Sequence, residues 1–267
     1  MFQTFILGVV QGLCEFLPVS SSGHLALLQH FFGLNTDGEE MVAFNLLLHF
    51  ATVISLIIYF RREIFKVLYE WLSGWFCKAD KRLPGWSYGW AILIASFFTA
   101  ILGLPMRKTV DLISASPMYV GCGLILTSMI LASVPVISHN GQKNSLLKIA
   151  IIVGIAQGIA VLPGVSRSGM TIAASLLMGM GLNEAFKFSF MISIPAILGA
   201  NLLEALKFYK SGTSAFMPDG YLFACVAAFI LGLAALGIMR RLVLTEKWPY
   251  FGIYCFILGT IAVLISL

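Results

Sequence analysis

Charge is scarce in this sequence. Of 267 residues only 11% are Asp, Glu, Lys or Arg, acids number 12, and hydrophobic residues make up 59% at a mean hydropathy of +0.94. A chain this apolar does not stay in water as a folded domain of its length. The five cysteines (Cys14, Cys77, Cys122, Cys225, Cys255) are far apart and never in CxxC spacing, which excludes a disulfide framework and a thiolate zinc site. The first residues, MFQTFILGVVQG, have neither a basic start nor a small-residue cleavage site, so no signal peptide is expected there. The net charge of +5 is modest, and its placement in loops between apolar runs excludes a nucleic-acid surface.

What the chain has is long apolar runs, at about 41–60, 88–105, 117–137, 188–206, 219–239 and 249–267. Each approaches or reaches the roughly 20 residues that cross a hydrocarbon layer. It also has one segment written twice. Gly8, Gln11, Gly12, Val19, Ser20, Ser22 and Gly23 recur as Gly154, Gln157, Gly158, Val165, Ser166, Ser168 and Gly169, without a gap. Both copies have the length of a membrane crossing but break in the middle, at Pro18 and Pro163, into serine-rich sequence. Paired interrupted segments in corresponding halves point to a site at the centre of a membrane protein.

Reading each copy as a hairpin that enters and leaves on one side, followed by three spans, sorts the loops onto two faces. One face receives Arg61, Arg62, Lys66, Lys78, Lys81, Arg82, Lys143, Lys148, Lys187, Arg240, Arg241 and Lys247; the other receives Arg107, Lys108, Lys207 and Lys210. The richer face is cytoplasmic by the positive-inside rule. Three spans per half is odd, so the second half is inverted, and both termini fall outside. The predicted fold is an all-α integral membrane protein of six transmembrane helices and two re-entrant helical hairpins. It forms a single membrane domain over 1–267, with repeat halves 1–145 and 146–267.

The breaks hold the chemistry. Gln11 and Glu15 share a helix face, Pro18 stops that helix, and Ser20, Ser21 or Ser22 caps a second one carrying His24 in its first turn. In the other copy Pro163 and Gly164 make the break, Ser166 or Ser168 caps, and Arg167 lies one turn from Thr171. Two helix N-termini aimed at one interior point, with a guanidinium between them, ask for an anion, and the planar fork of arginine suits phosphate. Burying Arg or Glu at mid-bilayer costs about 2.5–3.5 kcal/mol each, which favours function over packing for Arg167 and Glu15. Glu15 beside an anion calls for a bridging divalent cation, Mg²⁺ or Ca²⁺, or for a proton on the acid. Other polar residues read more plainly. Asn45, His49 and Thr52 form a stripe of interhelical contacts within the first span. His30 and His139 are interfacial or loop-borne, Glu204 and Lys207 are a solvated pair, and Trp71, Trp75, Trp86 and Trp90 are interfacial belt residues.

The strings QGLCEFLPVSSSGH (Gln11–His24) and PGVSRSGMT (Pro163–Thr171) closely resemble the two signature motifs of bacterial undecaprenyl-diphosphate phosphatases of the integral-membrane, bacitracin-resistance type. FNLLLHFAT (Phe44–Thr52) and FSFMISIPA (Phe188–Ala196) extend the similarity along the chain. Departures are small: Cys14 stands where threonine is usual and Ser22 where threonine is frequent. The resemblance implies six spans plus two re-entrant hairpins in inverted repeats. It implies hydrolysis of undecaprenyl diphosphate to the monophosphate carrier lipid of cell-wall synthesis, in the inner membrane, with a site opening to the extracytoplasmic side. Glu15, Ser21, His24 and Arg167 become the catalytic candidates, with Glu15 also the candidate metal ligand. Gln11, Ser20, Ser22, Gly23, Ser166, Ser168, Gly169 and Thr171 become substrate-binding candidates. The expected partners are a prenyl diphosphate lipid and the bilayer, with a homodimer left open. Serine, histidine or water as the attacking group is open at this level. So is a second reading, transport of an anionic prenyl phosphate by the same central site.

Overall fold

The computed structural model describes residues 1–34, 38–78, 81–137, 144–211 and 217–267, and all regular structure among them is helical. Six helices are long and apolar enough to cross a membrane, which makes this a multi-pass membrane protein: α3 (Glu39–Tyr59), α5 (Pro84–Gly103), α7 (Pro117–Ile137), α10 (Leu182–Ser211), α11 (Tyr221–Leu244) and α12 (Phe251–Ser266), the last extended by a 3₁₀ turn from Trp248. These are the six apolar runs of the sequence, with α10 longer than expected and carrying Pro195 inside it.

Two elements fall where loops were expected. α4 (Arg61–Ser73) and α6 (Arg107–Ser114) are short and amphipathic. On α4 an apolar stripe of Phe65, Leu68, Tyr69 and Leu72 faces outward, flanked by Arg61, Arg62 and Lys66, while Glu70 turns inward and accepts from the Gly85 N–H at 2.7 Å. That bond caps α5, whose first residue Pro84 has no donor to satisfy. Trp71, Trp75, Trp86 and Trp90 cluster where α4 and α5 pack, at centroid separations of 5.4–6.2 Å, edge-to-face except for the tilted Trp75–Trp90 pair. His139 and Lys143 lie outside the described residues.

The duplicated segments form two helix–break–helix units, α1 (Phe2–Cys14) with α2 (Ser21–Phe31) and α8 (Leu146–Ile159) with α9 (Arg167–Leu177). Their first helices pack into the opposite half of the chain through matching glycines. A Cβ on Gly8 would sit 2.3 Å from the Ala224 carbonyl oxygen of α11, and one on Gly154 would sit 2.5 Å from that of Ala95 on α5. Gly121 on α7 and Gly259 on α12 meet reciprocally: a Cβ on either would lie 2.7 Å from the other's carbonyl oxygen. Without a hydrophobic drive between helices in lipid, such small residues supply the close backbone approach that holds spans together.

Core contacts order the ends of the bundle. Phe60 after α3, Val134 on α7, Phe186 at the start of α10, Val243 at the end of α11 and Trp248 share one apolar cluster. At the start of α8, Asn144 donates to the Met178 carbonyl just after α9, at 3.2 Å, which brings the two ends of this unit together. A second cluster joins Leu28 on α2 and Leu34 beyond it to Met41 on α3 and Tyr221 on α11, and Met1 lies against Gly220.

Candidate active site

Each break is closed by the same local device. Ser20 caps α2 by accepting from the Gly23 N–H at 3.3 Å, and Ser166 caps α9 by accepting from the Gly169 N–H at 3.2 Å. Ser20 does this at φ 67°, a region that costs a residue with a Cβ free energy and persists where surrounding contacts enforce it. Gly164 makes the second break at φ 87°, where a side chain would also strike the Val120 carbonyl. Thr127 on α7 latches that turn, donating to the Gly164 carbonyl at 2.7 Å and accepting from the Ser166 N–H at 2.9 Å. Gly23 is demanded by contact, since a Cβ there would lie 2.9 Å from the Gly164 backbone; at Gly169 a Cβ would sit tightly, 3.2 Å from the Ser166 hydroxyl.

The two breaks touch. Arg167, the first residue of α9, reaches the end of α1 and pairs through Nη2 with Oε1 of Glu15. The Ser21 hydroxyl donates to the other carboxylate oxygen, Oε2, at 2.7 Å, and Gln11 Nε2 donates to the same oxygen at 3.0 Å. Ser168 closes the seam by donating to the Leu17 carbonyl at 3.1 Å. Glu15 is buried, and the Arg167 side chain is 16% exposed. One arm of the guanidinium, Nη1, is buried with no hydrogen-bond partner among the described residues. An unpaired donor on a buried cation is a costly arrangement unless a ligand anion completes it.

Above this floor lies a cavity of about 580 Å³ lined by Glu15, Ser20, Ser21, Ser22, Ser166, Arg167 and Ser168, with Asn45, His49 and Gln157 on its walls. Its far end is bounded by Leu104, Val110, Leu203, Glu204 and Lys207, at the end of the bundle away from Trp248. Glu204 and Lys207 do pair, at 3.2 Å.

Of the candidates read from the sequence, the structure brings Glu15, Ser21, Arg167 and the hydroxyls at 20, 22, 166 and 168 to one place. Gln11 stands behind the carboxylate, Gly23 and Gly169 are helix-capping positions, and Thr171 is fully buried against Ser189, with their hydroxyls 2.5 Å apart. His24 does not line the cavity. Its Nδ1–H donates to the Ser20 carbonyl at 2.8 Å, leaving Nε2 to accept from the Tyr254 hydroxyl of α12 at 2.7 Å. The histidine that does reach Glu15 is His49 of α3, with Nδ1 3.3 Å from Oε2. Its stripe is visible in the sequence, but only contact across the fold sets it beside the acid.

Among the described residues, no group of three or more His, Cys, Asp and Glu side chains is placed to hold a metal by itself. The donors present are hard oxygens: the Glu15 carboxylate, the Ser21 hydroxyl and Gln11 Oε1, which is buried without a partner. They suit Mg²⁺ or Ca²⁺ of the kind that takes its remaining ligands from substrate phosphate.

Residues 4–261 match the family model described as bacitracin resistance protein BacA. The chain is 38% identical to the undecaprenyl-diphosphatase of Korarchaeum cryptofilum, over 96% of each chain. It is 38% identical to that of Bacteroides fragilis over 99% of this chain and 98% of the other, and 38% identical to that of Carboxydothermus hydrogenoformans over 98% and 97%. With the match running almost end to end, this chain belongs to the bacitracin resistance protein BacA family.

Proposed function

We propose that this chain is an integral-membrane hydrolase that removes the terminal phosphate of undecaprenyl diphosphate, returning undecaprenyl phosphate for reuse as a carrier lipid in cell-wall synthesis. The observation that carries the reading is the meeting of Glu15, Ser21 and Arg167 from two separate breaks at the floor of one cavity, with one arm of the arginine left unpaired. An anion site needs only the arginine and helix N–H groups; a carboxylate with a serine hydroxyl donating to it adds a base and an attacking group.

In the mechanism, the terminal phosphate lies against Arg167 Nη1 and the N-termini of α2 and α9. These neutralise the charge that builds on its oxygens. Ser21 Oγ attacks phosphorus as its proton passes to Glu15 Oε2, and the bond from phosphorus to the bridging oxygen breaks, releasing the prenyl monophosphate. Water then attacks the phosphoserine, the serine oxygen recovers a proton, and inorganic phosphate leaves. Both ring nitrogens of His24 are engaged away from the cavity, so it serves as a brace for Ser20 and not as the attacking group. Glu15 would hold Mg²⁺ or Ca²⁺, which would supply further charge neutralisation.

The same reading takes the two units as re-entrant hairpins related by inversion, in halves 1–145 and 146–267. It is supported by the exchanged glycine contacts and by the Asn144–Met178 bond that returns the second unit to its point of entry. The cytoplasmic face is then the one bearing Arg61, Lys66, Arg240 and Lys247. The cavity mouth at Lys207 and both termini face outward across the bacterial inner membrane. The test is phosphate release from a short prenyl diphosphate by purified protein in detergent, with and without chelator. Release lost in Arg167→Ala and in Glu15→Gln is the expected result. A wild-type chain that binds the lipid and releases no phosphate supports the transport reading instead.

A further inference from the structure

The site has a fourth participant, outside the two signature motifs. His49 Nδ1 lies 3.3 Å from Glu15 Oε2, and its ring, 28% exposed, lines the cavity; with the hydrogen on Nδ1 it donates to Oε2, while Gln11 Nε2 gives its own hydrogens to Oε2 and to Thr52 Oγ1 at 3.5 Å. Oε2 is the oxygen to which Ser21 donates, while Oε1 is on Arg167. The carboxylate is therefore stretched between two claims. The planar fork of an arginine favours taking both oxygens of a carboxylate, yet here Nη1 is left unpaired. The groups on Oε2 hold the acid back from closing on the second arm.

The duplication separates this role from simple packing. Gln157 stands where Gln11 does, and its Nε2 reaches Thr99 at 3.0 Å and the Ile192 carbonyl of α10 at 3.4 Å, fastening the second unit to its neighbours. At the place of Glu15 the second half has Val161. Aligning FNLLLHFAT with FSFMISIPA puts Ser193 at the place of His49. Ser193 is fully buried and donates within its own helix, to the Phe190 carbonyl at 2.7 Å. The half without the acid is also without the imidazole, and it packs without it.

We propose that His49 is a positioning residue for the hydrolysis described above: from α3 it fixes the Glu15 oxygen that faces Ser21, and so keeps the second arm of Arg167 unpaired for phosphate. The inference rests on the phosphatase reading. Without that contact only Ser21 and Gln11 hold Oε2, and the carboxylate turns more readily onto both arms of Arg167, weakening the acceptor of Ser21 and filling the phosphate arm.

Three variants test it, each assayed for phosphate release beside wild type and Arg167→Ala, with thermal unfolding in detergent as a control. His49→Asn puts an amide nitrogen where Nδ1 was; His49→Gln puts it one bond too far; His49→Leu fills space only. A hydrogen bond to a charged group sets the scale, so kcat/KM is expected to fall about 10- to 100-fold in Gln and Leu and to recover to within about fivefold of wild type in Asn. Should Leu fail to fold, the Asn–Gln pair carries the same discrimination. Equal activity in Asn and Gln, an order following size with Gln and Leu above Asn, or wild-type activity in Leu overturns the proposal while leaving the phosphatase reading standing. If wild type itself releases no phosphate, the reading beneath it fails first.

Discussion

Arg167 holds Glu15 with one arm of its guanidinium and leaves the other unpaired inside the bundle. A guanidinium inside an apolar segment is expensive, and its neighbours Ser166 and Ser168 stand where a helix is capped, so both its cost and its surroundings point at an anion. Glu15 is legible in the sequence for the same reason. His49 is not, because an imidazole in a long apolar span reads equally well as a contact between helices; the acid it meets is 34 positions away in sequence. His24 illustrates the reverse. It is one helical turn from Ser20, as the spacing demands, but its ring is directed to Tyr254 and stacks on it at 5.6 Å, a partner 230 positions distant. The guanidinium geometry carries its own expectation. Arg167→Lys keeps the charge but cannot hold Glu15 with one arm and phosphate with another, so phosphate release should fall by about 10²-fold or more. Release within about threefold of wild type would show that a point charge suffices.

At the scale of elements, the spans and the interrupted segments are readable from hydropathy and from Pro18 and Pro163, whereas α4 and α6 are not. Their charged residues lower the local hydropathy to that of a loop, and only the outward stripe of Phe65, Leu68, Tyr69 and Leu72 reveals a helix with an apolar side. The partners of α1 and α8 are equally hidden. Gly8 and Gly154 mark small surfaces, but which helix approaches them depends on the tertiary arrangement, in which α1 meets α11 and α8 meets α5. That arrangement fixes the depth of both breaks. Gly154→Val drives a side chain into the Ala95 backbone and should cost about 1–3 kcal/mol, read as a lower unfolding midpoint in detergent. Gly237→Val, with nothing within 4 Å of its Cβ, is the control and should leave the midpoint unchanged. Equal midpoints for the two would mean that the α5–α8 contact does not bear on stability.

For the molecule as a whole, the proposed function depends on the ends of the two interrupted units touching at the floor of one cavity. Thiol labelling in intact cells reads the orientation, once the exposed Cys77 and Cys122 are replaced. Lys207→Cys, at the cavity mouth, should react with an impermeant reagent from outside, and Lys66→Cys only after permeabilisation. The opposite pattern would invert the molecule and put the site on the cytoplasmic side. The convergence itself is tested most directly by a double-mutant cycle on phosphate release, comparing Glu15→Gln, Arg167→Ala and the two combined. Residues that act as one unit lose their effect together. The account predicts large losses in each single variant and a double variant no slower than the worse of the two. Losses that multiply as for independent sites, or a single variant with wild-type release, would contradict it.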